Sequence, residues 1–174
     1  STAKETGDRD LPARQRLGTL CVTVIEAAAE HRLARQPLLS LADRLAKEPL
    51  WHWYAIDLYM VSVRWDDPEQ AVHSFILAAE LADGTGLVGY PAQAVSDRLN
   101  SGDAIAGAGV MLAIARSMSQ AAGTAAGLIS VELIGFGGDT FGWSDDWREL
   151  LQKARTHSDI DVQRAAMDVY MTRE

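Results

Sequence analysis

The stretch Asp67–Gly84, DPEQAVHSFILAAELADG, decides the fold, because it can be read in two ways that lead to different architectures. As a helix it carries four start signals in a row. Asp67 can accept from the open N–H groups of a first turn, and Pro68 stands at the first helical position, where an N–H has no partner anyway. Glu69 meets the positive end of the macrodipole, and Gln70 completes a capping box. Val72, Phe75, Ile76 and Ala79 then share one face, and Asp83-Gly84 predicts a left-handed stop. As a strand, Ser74–Ala82 would turn back in a hairpin at Gly84, but all four start signals would go unused. The helix is the better reading.

Upstream, Pro12 opens a helix that places Leu17, Leu20, Cys21, Val24 and Ala28 on one stripe and should stop near Ala34, before Pro37. A short helix from Ser40, as cap, to Lys47 follows. Leu50–Arg64 fits a helix through Trp51, Tyr54, Ala55, Leu58, Ser62 and Trp65. The alternation Ile56, Leu58, Met60 and its Tyr, Val and Ile content also fit a strand, but the segment is long for one.

Downstream, Pro91 opens a helix to Asn100. Asp103 is then placed to cap a long stretch of small residues, read as a central buried helix Ala104–Ala122 and a second helix Thr124–Ile134. Leu128, Ile129, Val131 and Leu133 also suit a strand. Gly123-x-x-x-Gly127 has the spacing of a close helix–helix approach. Gly135–Gly142 reads as a connecting loop, pinned only if Phe136 and Phe141 pack. Ser144 caps a helix with Asp145, Asp146 and Glu149 early, Lys153 and Arg155 late, and Trp147, Leu150, Leu151 and Ala154 inward. Ser158 and Asp161 form a capping-box variant for a last helix with Val162, Ala165, Ala166 and Val169 on its stripe.

The expected fold is therefore all-α, with about eight or nine helices in a multi-helix bundle or a short helical-hairpin array. The alternative is α+β, with Tyr54–Val63, Phe75–Val88 and Ile129–Ile134 as strands. Residues 1–10 are polar and unpatterned and read as a flexible lead-in to one helical domain over 11–174. Within it, 37–83 and 91–134 follow one plan offset by 54 residues: Pro37 and Pro91 open them, and Asp43-Arg44-Leu45 matches Asp97-Arg98-Leu99. Stacked helical units of this kind usually build surfaces for binding.

Composition narrows the function. The 174 residues are 48% apolar and 23% charged, ordinary for a chain that closes its own core. The net charge is −8, and the acid lies late: residues 1–48 hold eight Lys/Arg against seven Asp/Glu, residues 49–174 eight against seventeen. Such a surface repels phosphate backbones and suits a basic protein partner, so nucleic acid is not expected. Ala104–Val131 carries one charge, Arg116, but Arg116, Ser117, Ser119 and Gln120 interrupt it, so no membrane span is expected. Cys21 is alone, excluding an internal disulfide, and no leader is visible; a cytoplasmic location follows as the expectation.

Motifs for chemistry are weak. Gly135–Gly142 has Thr140 where a dinucleotide fingerprint needs glycine, and it lacks the Gly-Lys-Ser/Thr of a phosphate loop. His31, His52, His73 and His157 have no metal spacing, although folding could bring them beside Asp57, Asp66 or Glu69. No cofactor and no metal are expected. The anomaly is tryptophan. Trp65-Asp66-Asp67 and Trp143-Ser144-Asp145-Asp146 each set a ring before an acidic helix start, a pattern that fits a hydrophobic staple or a cation site. Trp51 and Trp53 lie about 200° apart on a helix, so one should face solvent or a partner. The expected role is a non-enzymatic interaction or adaptor module, self-associating through its small-residue faces. The alternative is a small enzyme or ligand-binding domain with an interhelical pocket. In either case Trp51, His52, Trp53, Trp65, Asp66, Asp67 and His73 are the candidate binding residues.

Overall fold

Proline, carboxylate and glycine cut this chain into helices, and one helix gathers most of the others around it. A computed structural model describes residues 11–29, 34–101 and 106–171, and all regular structure among them is helical. The order is α1 (Leu11–Ala29), α2 (Arg35–Leu45), a 3-10 turn (Pro49–Trp51), α3 (His52–Val61), α4 (Pro68–Thr85) and α5 (Tyr90–Leu99). Then follow α6 (Ala108–Met118), α7 (Thr124–Phe141), α8 (Asp145–Arg155) and α9 (Ile160–Met167). The fold is all-α. The strand alternatives at 54–63, 75–88 and 129–134 are replaced by α3, α4 with the start of α5's approach, and α7. The N-terminal lead-in, His31, Arg32 and the expected cap Asp103 lie outside the described residues.

Helix α4 begins as its signals require: Asp67 accepts from the Gln70 N–H at 3.1 Å. The Gln70 side chain bonds the Asp67 carboxylate at 2.6 Å rather than its backbone, so the box closes side chain to side chain. The left-handed stop falls at Gly86, with φ 74°, two residues beyond the expected Gly84, which stays helical. The chain is extended at Ala34, before Pro37 as expected, and helix α2 already starts at Arg35, so Pro37 lies in its first turn. Those N–H groups have no intrahelical partner, and proline removes nothing there. Ser40, expected as a cap, is inside α2 and exposed.

The centre is α7, not the expected Ala104–Ala122. Helix α6 is short, and its exit is turned by Ser119, whose hydroxyl donates to the Arg116 carbonyl at 2.8 Å. Helix α7 is apolar around most of its girth and packs on α4, α5, α6, α8 and α9. It also absorbs the expected loop Gly135–Gly142 as its last two turns. Glycine explains this: Gly137 lies under the ring of Trp147, and a Cβ at Gly138 would come 2.5 Å from that of Trp143. Gly127, the second glycine of the close-approach pair, meets Val162 of α9 in the same way, at 2.5 Å. The small residues thus bring this chain's own helices together.

Polar pins fix the ends. Asp83 of α4 accepts from the Ala125 N–H at 3.0 Å, capping α7 from another helix. The Thr124 hydroxyl donates to Asp159 at 2.5 Å, and Asp159, not Ser158, caps α9 through the Asp161 and Val162 N–H groups. A carboxylate serves two N–H groups and adds negative charge at the dipole's positive end. Helix α8 matches expectation, with Trp147, Leu150, Leu151 and Ala154 all buried. The two similar stretches each begin with a helix ended by Asp-Arg-Leu and finish in an 18-residue helix, α4 or α7. Yet α2 packs on α3, whereas α5 packs on α7, α3 and α4. No helix among the described residues is long and apolar enough to cross a membrane.

Two glycines in long helices should respond in opposite directions. Gly138→Ala forces a methyl into the Trp143 ring, and overpacking of this kind costs about 1–3 kcal/mol, more than the roughly 1 kcal/mol that alanine returns as helix propensity. Gly84→Ala meets nothing within 4 Å and should stabilise by about 0.4–1 kcal/mol. Thermal unfolding followed by circular dichroism should place the midpoints in the order Gly84→Ala, native, Gly138→Ala; the reverse order would remove the close packing argued for α7.

Candidate functional site

The seven candidate residues separate into three places. Asp67 is consumed by capping, which holds its carboxyl below the usual carboxylate range through the bonds from Gln70. His73, on the exposed side of α4, takes an Arg35 guanidinium at Nδ1, 3.1 Å away. Arginine only donates, so this nitrogen accepts. The same Arg35 nitrogen lies 3.1 Å from the Gln70 carbonyl and from the Ser74 hydroxyl, and Ser74 meets Ser62 of the α3–α4 junction at 2.9 Å. This cluster ties α2 to α4 and is structural. Asp66 is exposed beside it.

Trp51 and His52 lie elsewhere. Trp51 is tilted against Tyr54, ring centroids 5.8 Å apart, and borders a shallow depression of about 1030 Å³ between α1 and the 3-10 turn. His52 opens α3, half-buried, away from that depression and from the cleft described next. No hydrogen bond or ion pair among the described residues joins His52 or His73 to Asp57, Asp66 or Glu69. Among the described residues, no three His, Cys, Asp or Glu side chains come together as a metal site.

Trp65 lies on a cleft of about 430 Å³ between α1, α3 and α5, and Trp53 reaches it only through Tyr90. Trp65 lines it and packs edge-on against Phe75, centroids 5.5 Å apart. Trp53 is 48% exposed, the outward-facing member of its pair, and stands edge-on to Tyr90 at 4.4 Å. Tyr90 in turn donates to Asp57 Oδ1 at 2.6 Å, and both line the cleft. Burial pushes the Asp57 carboxyl above its ordinary value, and the Tyr90 bond pulls it partly back. Burial, then the neighbouring Asp57 and Asp97, push the Tyr90 hydroxyl up as well. The reading from sequence mentioned Asp57 only as a partner for histidine and missed Tyr90, Asp97 and Arg98. A signal was there: Asp57 is the sole acid between Pro49 and Val63, and a lone carboxylate inside an apolar helix is costly unless it is used.

A second concavity, about 670 Å³, runs between α5, α7 and α9. Leu99 and Val131 are its buried floor, and Glu132, Asp139 and Asp168 its charged edge, with no Lys or Arg lining it among the described residues. Asp139 accepts from Trp143 Nε1 at 3.0 Å. Tyr170, which also lines the groove, is 80% exposed, and Met167 and Met171 beside it are exposed too. Arg155 holds this segment in place by donating to the carbonyls of Ala166 and Val169 at 3.2 and 2.7 Å. Comparison with known proteins returns no matching family model, no matching curated protein and no matching solved structure.

Asp57 gives a pH signature. Its folded value lies above the ordinary 3.8, so the folded state loses stability as pH rises through 3.8, and the loss is complete above the folded value. Asp57→Asn keeps an acceptor for Tyr90 and removes the charge. Its melting temperature should exceed the native one near pH 7, with the gap closing below about pH 3.5. A gap independent of pH would show that the charge carries no folding cost.

Proposed function

We propose that this domain is a non-enzymatic protein-interaction module that receives a basic, partly apolar segment of another protein in the groove between α5, α7 and α9. The observation that carries the reading is an acidic lining that holds no Lys or Arg among its described residues, together with the exposed ring of Tyr170; exposed Met167 and Met171 lie within three residues of that ring along the chain. Interfaces concentrate aromatic and methionine side chains at their centres and charges at the rim. Leaving Tyr170 and the two methionines in water costs hydrophobic free energy that a partner would recover. Glu132 and Asp168 would meet Lys or Arg, and the net charge of −8 would speed the approach of a basic partner. The same charge makes a second copy of this chain, or a nucleic acid, a poor occupant.

The test is fluorescence polarisation with a labelled peptide of alternating Arg and Leu, beside its Glu–Leu counterpart. Saturable binding of the basic peptide alone is expected, weakening as salt rises because the charges are exposed. The Glu132→Gln/Asp168→Asn double variant should lose about tenfold in affinity, the sum expected of two exposed ion pairs. Equal binding of both peptides, or of native and variant protein, would overturn the reading.

A further inference from the structure

A separate cleft shares α5 with that groove but is lined by different residues of it. We propose that the cleft between α1, α3 and α5 binds a small organic ammonium, a primary or secondary amine carried on an apolar body. At about 430 Å³ the space falls within the size range of small-molecule sites, which are mostly apolar with a few placed polar groups. Ile25 and Ala28 of α1, Met60 and Val61 of α3 and Val63 beyond it supply apolar wall. Trp65 and Tyr90 supply aromatic surface, which attracts cations through the ring quadrupole.

The polar groups point to the sign of the ligand. Asp57 Oδ1 is occupied by the Tyr90 hydroxyl at 2.6 Å, and Oδ2 takes no hydrogen bond among the described residues. Tyr90 is itself backed by Trp53, edge-on at 4.4 Å, so the acceptor is held in one orientation before any ligand arrives. Asp97 adds a second carboxylate, its Oδ1 held by Gln93 at 2.8 Å. Arg98 also lines the cleft and is already engaged by a partner in the fold. Two carboxylates against one engaged guanidinium leave an anionic cleft. An ammonium brings donors to the open oxygen of Asp57 and a charge that offsets the cost of burying the carboxylate; a neutral alcohol brings a donor without the charge, and an anion brings neither. A quaternary ammonium, lacking N–H donors, would meet the aromatic surface and not the oxygen.

Isothermal titration of the whole chain with phenethylamine, 3-phenylpropanol and 3-phenylpropionate tests this. Phenethylamine should bind saturably, and the alcohol should bind about 30-fold more weakly, the worth of a charge-assisted hydrogen bond with a cation–π contact. The acid should not bind. Asp57→Asn should lower amine affinity by a similar factor, while Trp65→Leu should lower it about fivefold. In the native protein, adding the amine should shift the Trp65 indole N–H resonance, a readout that does not depend on a variant folding. Equal binding of amine and alcohol, unaltered affinity in Asp57→Asn, or no saturable binding of the amine would each overturn the proposal. The groove at α7 and α9 plays no part in these outcomes.

Discussion

The packing of the C-terminal half of this protein leans on the close approach of α7 to its neighbours. A helix without side chains at 127, 137 and 138 lets Val162, Trp147 and Trp143 reach its backbone, so α8 and α9 pack closer than ordinary side chains would allow. Dispersion attraction falls steeply with separation, and three flat or branched groups against bare backbone collect many contacts at once. The same glycines lower helix propensity. Helix α7 therefore exists because it is enclosed, and its neighbours are positioned because it is thin. Neither half of that arrangement stands without the other.

Hydrogen bonds between elements set the register that apolar packing leaves open. Hydrophobic burial is non-directional, so a bundle held by apolar contacts alone could slide. Here Asp83 reaches from α4 to the first turn of α7, Thr124 reaches from α7 to Asp159, and Asp159 caps α9. Arg155 then returns from α8 to the Ala166 carbonyl in the last turn of α9 and to that of Val169 just beyond it. Each link satisfies an open end of a helix while fixing its position relative to another. By contrast the Arg116–Asp146 pair between α6 and α8 is half-exposed on both sides, and pairs of that kind contribute little.

Against this economy Asp57 stands out. Capping explains Asp67, Asp83 and Asp159, but Asp57 is midway along α3, flanked by buried Ile56 and Leu58, and caps nothing. Its one side-chain hydrogen bond among the described residues goes to Tyr90. A carboxylate that works against folding, oriented by a tyrosine and set in a cleft, fits the general pattern in which binding sites keep groups that the fold would not choose. The groove at α7 and α9 differs in kind. Its acids are on the surface and cost the fold little, and what they offer is charge over an extended face.

The helices were legible where a local signal and the final structure agree. Asp67-Pro68-Glu69-Gln70 starts α4 as its chemistry requires, and in α8 the acidic start and basic end mark its bounds while the spacing of Trp147, Leu150, Leu151 and Ala154 marks its buried stripe. Legibility failed where meaning depends on a distant neighbour. Gly135–Gly142 looks like a loop until Trp143 and Trp147 are laid on it, and Pro37 looks only like a stop until α2 is seen to begin at Arg35. Site residues divided the same way: Trp65 and the outward Trp53 could be singled out by type and spacing, but Tyr90 and Asp97 belong to the cleft only because α5 crosses α3. The amino-acid order by itself determined that the chain is helical, where most helices begin, and that its net charge is −8, because capping and periodicity act within a few residues and charge follows from composition. Which helix is central, which glycines are contacts and which carboxylate faces a cleft were decided only by tertiary packing, because those depend on groups brought together from far along the chain.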